Sequence, residues 1–454
     1  MDDSRIKTLK DDSISKAIIK LSIPAIIGML VMAIYNFVDA VFVSWYDISA
    51  PGALQVVMPV MLIASAIGLS LGIGGASYIS RLLGANKKER AEQVVSIVFI
   101  TGIILGVLST IFNYIYMDDI FSIFATDETD INMIKSYGTY IIYGYTFMIL
   151  NMILNNILRS EGSVKYSMIA MISGSILNII LDPIFIFVFK WGVQGAAIAT
   201  TLSNIFSFII LLFIFLNKKT ILHLNIKNMK FDITIYKEVL IVGLPILFRQ
   251  FLFSLSMGLL NYAAKQYGGG NELISVIGNI IRTVTIPSYI IFGFGQALQP
   301  VAGYNYGAKK PQRVMDSFKF TAKITSIIML ITAIIFGFFG SYVIRIFNMN
   351  DSMINYAIKG FRYLSVGLLF LGFTNSVTVF FQALGKGFKA MLMSISRQGL
   401  FFIPSILILP RIIGIDGVLA AQGLSDMLSA ILAFILFMPY IKTSKIEKLI
   451  YKTA

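Results

Sequence analysis

The chain has no cysteine, a single histidine (His223), two tryptophans and few charges, which amount to 13% of its 454 residues. Without cysteine there is no disulfide framework, no thiolate metal site and no cysteine nucleophile. One imidazole, lying in the longest basic interruption of the sequence, excludes a histidine relay for protons across a membrane. The scarcity of charge accompanies an apolar content of 57% and a mean hydropathy of +0.81. These values are far from the balance of a soluble domain and place the chain in lipid. Charge-free runs such as 50–80, 93–117, 136–158, 191–217, 283–308 and 324–344 each reach the roughly 20 residues that span a bilayer. The first apolar stretch runs past the length of a signal peptide into Asp39 without a small-residue cleavage site, and reads as a retained helix.

Twelve spans are expected, at about 15–45, 51–80, 93–117, 136–158, 166–189, 191–217, 238–265, 273–306, 318–344, 360–384, 388–410 and 415–441. The punctuation of the first six recurs in the second six about 220 residues later. Gly84, Ala85, Lys87 and Arg90 fall on Gly307, Ala308, Lys310 and Arg313. Pro24 matches Pro245, Lys165 matches Lys389, and Gly192 and Gly195 match Gly414 and Gly417. Six crossings return the chain to its starting side, so the two halves share one topology and are related by a pseudo-two-fold axis along the membrane normal. The expected fold is therefore an all-α membrane protein of two six-helix bundles: 1–217, a cytoplasmic linker at 218–237, and 238–454.

The net charge of +14 follows the positive-inside rule rather than a nucleic-acid footprint. Lys and Arg gather at the amino end, around Arg159 and Lys165, in 218–237 and at 442–452. Asp118, Asp119, Asp127, Glu128 and Asp130 occupy an alternate loop. Both termini are accordingly expected in the cytoplasm of a bacterium, with the chain a monomer in the inner membrane.

Ionisable groups inside a membrane are costly, so the informative residues are Asp39 in the first span and Asp182 in the fifth. Asn178 and Asp182 are four apart on one helical face, and Ala196 and Thr200 repeat that spacing in the sixth span. Two carboxylates, an amide oxygen and a hydroxyl suit a hard cation such as Na⁺, or a carboxyl that takes and releases H⁺. The competing reading is a satisfied structural network. Tyr35, Asn36, Tyr137 and the kinking Pro24 are the expected supporting residues, and no cofactor beyond the coupling ion is expected. Glu161, at the end of the fourth span, and Asn151 are the expected substrate contacts. In the second half Arg249, Arg282, Arg397 and Asp426 are the deepest charges, and mutual pairing explains them most cheaply. Gly68, Gly72, Gly74 and Gly75 read as helix-packing residues, since no Gly-Lys-Ser/Thr follows them.

Asn36-Phe-Val-Asp39, Leu177-Asn178-Ile-Ile-Leu-Asp182-Pro183, Gly192-Val-Gln-Gly195-Ala196-Ala197 and the paired Gly-Ala-basic loops resemble the multidrug and toxic compound extrusion (MATE) family over essentially all twelve spans. Arg159-Ser-Glu161-Gly162 and Gln299-Pro300 through Ala308 are most similar to its MepA-type bacterial branch. The resemblance implies a secondary active transporter, not an enzyme, which exports small amphipathic, often cationic drugs in exchange for H⁺ or Na⁺. It assigns coupling to Asp39, Asn178, Asp182, Ala196 and Thr200. Family members with an acid in the seventh or eighth span differ from this chain, which has Arg249 and Arg282 there. The alternatives are a lipid-linked oligosaccharide flippase, which needs a basic cavity, and an intramembrane aspartic protease, whose Gly-x-Gly-Asp context neither acid has.

Overall fold

The computed structural model describes residues 3–46, 50–124, 131–217, 219–225, 232–268, 270–345 and 351–441. Asp127, Glu128, Asp130, much of the linker and the basic carboxyl end lie outside these residues. Within apolar surroundings every backbone N–H and C=O must be satisfied inside its own segment, which leaves the helix as the only open-chain solution. The described chain follows that rule.

The first unit comprises 1–11 and 23–243. It holds α1 (Asp3–Lys10), most of α2 (Ile14–Tyr46), α3 (Ala50–Gly84), α4 (Lys88–Ile115), α5 (Met117–Phe124), α6 (Ile131–Ser160), α7 (Val164–Pro183) with a π-helical continuation (Ile184–Val188), and α8 (Gly192–Leu216). The second unit, 12–22 with 244–454, takes the start of α2 and the body of α9 (Ile233–Gln266). It adds α10 (Gly270–Gly307), α11 (Pro311–Ile344), α12 (Asp351–Ala383), α13 (Gly387–Ile395), a second π segment (Ser396–Phe402), α14 (Ile403–Ile413) and α15 (Ile415–Ile441). Among the described residues, twelve helical stretches are long and apolar enough to cross a membrane. Several outrun the sequence expectation. Helix α11 begins at Pro311 and α12 at Asp351, because charged and polar turns continue the helix beyond the hydrocarbon into the interface.

The sequence repeat returns as local geometry. Asn86 and Lys309, 223 residues apart, both have positive φ, of 58° and 56°, as do Gly162 and Gly385, at the same separation. Around each, the helix closes identically: Lys87 N–H reaches the Leu82 carbonyl at 2.9 Å, and Lys310 N–H reaches that of Asn305 at 2.9 Å. Ser163 bonds Leu158 at 2.8 Å and Lys386 bonds Phe381 at 3.0 Å in the same way. A left-handed residue after the last turn satisfies the orphan carbonyls and reverses the chain in the fewest residues.

Without a hydrophobic force between helices in lipid, close packing holds them together. The glycines of α3 show how. Gly68 and Gly72 face Met152, Ile149 and Asn156 of α6, Gly75 faces Val98 of α4, and a Cβ at Gly74 would stand 2.2 Å from the Val239 carbonyl oxygen. Outward faces carry the opposite composition, with Phe37, Trp45 and Phe338 exposed to 69%, 70% and 80%, as a lipid boundary requires. Gly74→Val should therefore lower the thermal midpoint of the purified protein, with a cost of roughly 1–3 kcal/mol for overpacking. Gly278→Ala, which meets nothing within 4 Å, should leave it unchanged or slightly raised. Equal midpoints for both variants would refute this account of α3.

Candidate functional site

Asp182 sits in the last turn of α7, just before Pro183. Proline cannot donate to the preceding turn, and the helix widens into the π segment 184–188. Such insertions redirect side chains and concentrate at functional positions. Helix α8 then returns along this distorted region. Gly192 has φ +56°, and a Cβ there would collide with the Tyr46 ring; a Cβ at Gly195 would lie 2.8 Å from the Phe185 carbonyl. Gly195 thus lets α8 approach the π segment at main-chain contact, and Gly192 leaves room for the Tyr46 ring of α2. Ala196, fully buried, keeps that approach one turn before Thr200.

Asp182 is wholly buried and Asn178 nearly so. The Asn178 amide donates to Asp182 Oδ1 at 3.2 Å and to Thr200 Oγ1 at 3.4 Å. From α2 the half-buried Asp39 brings its carboxyl into hydrogen-bonding reach of Asp182. Asp39 Oδ1, Asp182 Oδ2 and Asn178 Oδ1 are buried without a partner. Tyr137 is buried beside them, within electrostatic reach of both aspartates and of Tyr35. Asn36, on the same turn of α2, is exposed, and Pro24 is buried within an unbroken helix.

Three buried, unpartnered acceptor oxygens around two carboxyls form a site in which acceptors outnumber donors. A proton or a small hard cation supplies what such a site lacks. Two adjacent carboxylates repel strongly where solvent is scarce, and a bound H⁺ or Na⁺ would relieve that repulsion. Among the described residues there is no group of three His, Cys, Asp or Glu, and the donor set is all oxygen. This chemistry fits an exchangeable monovalent ion better than a tightly held transition metal.

Sequence reasoning missed several neighbours. Tyr145 Oη and Ser203 Oγ are also buried without partners, and Tyr145 acts electrostatically on Tyr137. A polar seam leads away from the aspartates. Asn204 donates to the Thr200 carbonyl at 2.9 Å, Asn151 to the Asn204 carbonyl at 2.9 Å, and Asn155 to the Asn151 carbonyl at 2.8 Å. Ser167 donates to Asn155 Oδ1 at 2.7 Å, and Arg159 to Ser167 Oγ at 3.0 Å. Asn151, expected to face substrate, is built into this seam. Its helix-face spacing to Asn155 was the available signal, but the partners on α7 and α8 were not.

Glu161 is placed otherwise than expected. It is fully buried, and its Oε2 accepts the N–H groups of Ile221 and Leu222 at 3.0 Å each, while Ser163 donates to Oε1 at 2.5 Å. Arg5 of α1 closes the knot through Ser163 Oγ at 3.0 Å and the Lys219 carbonyl at 2.6 Å. A carboxylate so engaged offers no free charge to a cationic substrate. It fastens the chain leaving α8.

In the second unit, of the four deep charges expected to pair, Arg397 and Asp426 do so. Arg397, in the π segment, makes a forked pair with Asp426 at 2.6 and 3.2 Å, and Gln422 donates to the same carboxylate at 2.9 Å. Arg249 lies within repulsive range of Arg397; Arg282 is not part of the pair.

Burial pushes the Glu161 carboxyl up to about 7, against the opposing pull of its hydrogen bonds and of Arg5. Folding then retains a proton that the unfolded chain has released. The group's stabilising contribution is complete below its ordinary value near 4.5 and is lost as pH rises through about 7, on the order of 3 kcal/mol at the limit. The thermal midpoint should fall over this window, and Glu161→Gln should flatten the fall. An identical pH slope in the variant would refute the assignment.

The chain is similar to known proteins along most of its length. The MatE family model matches residues 24–184 and 245–408. The multidrug export protein MepA of Staphylococcus haemolyticus is 28% identical over 434 residues, 95% of each chain, and that of Staphylococcus aureus is 29% identical over 441 residues, 96% of each. An outward-facing multidrug resistance MATE family transporter of the MOP superfamily superposes with a TM-score of 0.91 at 29% identity, covering 99% of both chains. With its fold and this match along most of its length in agreement, the chain belongs to the MatE family.

Proposed function

We propose that this membrane protein is a cation-coupled multidrug exporter, which moves small amphipathic, often cationic compounds out of a bacterial cell by alternating access in exchange for H⁺ or Na⁺. Its inner-membrane location, cytoplasmic termini and action as a monomer belong to the same reading. The names of its relatives support the substrate class. The contact between Asp39 and Asp182, with three buried oxygens left unpartnered around it, carries the reading.

Two acids in contact within an apolar bundle make affinity for a cation depend on their separation. A bound H⁺ or Na⁺ draws α2 toward α7, and its departure leaves two like charges that push them apart. Conformation and ion occupancy are thereby linked, which an exchanger requires. The site uses only this chain's oxygens, with Asn178 and Thr200 fixing Asp182 on its helix. A flippase for lipid pyrophosphates would instead need unneutralised basic groups, and Arg397 is already neutralised by Asp426.

The test is efflux of a cationic dye from proteoliposomes under separate proton and sodium gradients. One gradient should drive export, and Asp39→Asn and Asp182→Asn should each reduce it to background while eluting as the folded protein. Full gradient-driven export by both variants would overturn the proposal.

A further inference from the structure

Away from the aspartate site, the loop between α12 and α13 brings two lysines together over one aromatic box. Gly385, with φ +68°, turns the chain so that Lys386 caps α13 and Lys389 falls in its first turn. Lys389 Nζ lies 3.3 Å from the Tyr440 hydroxyl and 4.8 Å from its ring centroid. Lys386 Nζ lies 5.4 Å from the centroid of the same ring, and Lys389 is also 5.3 Å from that of Phe381. Tyr440 itself is 2% exposed, held by Phe437 and Phe380 at centroid distances of 5.7 Å each. The rings belong to a buried cluster that also takes in Phe318 and Leu384.

Three positive contributions meet here. Two ammonium groups share one rigid ring, and both stand at the amino end of α13, where the helix dipole disfavours cations and favours anions. Ordinary positive-inside bias does not require this convergence. The repeat-related Lys165 is exposed, whereas Lys386 and Lys389 are half-buried. Burial and then the charge of Lys389 push Lys386 down to about 8, a sign that the positive charge is crowded. Beside them Phe388, 69% exposed, offers apolar surface at the edge of a membrane span.

We propose that Lys386, Lys389 and the start of α13 bind the phosphate of an anionic phospholipid headgroup, with Tyr440 as the fixed floor and Phe388 against the lipid chains. Phosphate oxygens can accept from both ammonium groups, and the position at a span end makes a lipid their source. The aromatic box orients the lysines in advance, so little side-chain freedom is lost on binding.

Purified full-length protein, delipidated in detergent, should be examined by native mass spectrometry and thermal stability with phosphatidylglycerol, with phosphatidylcholine and with inorganic phosphate at equal concentration. Phosphatidylglycerol should be retained and should raise the midpoint, and the other two should not. The double variant Lys386→Gln, Lys389→Gln should bind it roughly thirtyfold more weakly, about fivefold for each lysine. Lys386→Arg, Lys389→Arg should restore binding, and Lys165→Gln should behave as wild type. Equal retention by the glutamine variant would overturn the site. An equal shift with inorganic phosphate would overturn the lipid as its source.

Discussion

Two carboxyl groups facing each other where water is scarce form the constraint around which the first unit is organised. A lone buried acid is neutralised or paired with a base; here Asp182 has an amide, a hydroxyl and another acid. Among the described residues, no arginine or lysine closes the pair. Gly195, which admits α8 to the π segment, the small buried side chains of Ala196 and Ala197, and the widened turn after Pro183 shape the helices that carry these acceptors. Such an arrangement is unstable toward gaining a positive ion, and that instability is its chemical capacity.

The second unit makes the opposite choice on the same scaffold. Its tight loops repeat those of the first, with matching positive φ of 58° and 56° at Asn86 and Lys309 and of 83° and 68° at Gly162 and Gly385. Its π segment contains a charged residue, Arg397, whereas Asp182 precedes that of the first unit. Yet Arg397 meets Asp426 in a forked pair, with Gln422 completing the carboxylate's partners. An ion pair closed in this way gains nothing from a further cation. Duplication preserved the backbone solution, and divergence left an open electrostatic site in one half and a satisfied one in the other.

How much of this was legible in the sequence depended on range. Hydropathy placed the spans, because a charge-free run of bilayer length admits a single structure. The four-residue spacings of Asn178 with Asp182, and of Ala196 with Thr200, revealed faces, and the motif glycines marked close approaches. Contacts across helices were not encoded locally. Nothing near Glu161 signals that its carboxylate will receive the N–H groups of residues sixty positions later, and nothing near Tyr145 or Ser203 signals an unpartnered oxygen. The π segments were also hidden. A proline is visible in a sequence, but whether the helix kinks, ends or widens depends on what packs behind it.

The seam of Asn151, Asn155, Asn204 and Thr200 bears on which part of the unit responds when charge changes at the aspartates. Its amides bind main-chain carbonyls of α6 and α8, and Ser207 donates to the Ala170 carbonyl of α7 at 3.1 Å. These bonds lie in a buried setting, where leaving one unmade costs about 1–3 kcal/mol. Asp182, Asn178 and Thr200 therefore stand on helices cross-tied by two such bonds, Asn151 to Asn204 and Ser207 to Ala170. Asp39 stands on α2, whose neighbouring Asn36 and Phe37 are exposed. Repulsion between the two carboxylates acts equally on both, but displacing α7 or α8 would break the ties, whereas displacing α2 would not. Under the proposed exchange cycle the ion's arrival and departure are consequently read out by α2, and the amides of the seam make that response directional.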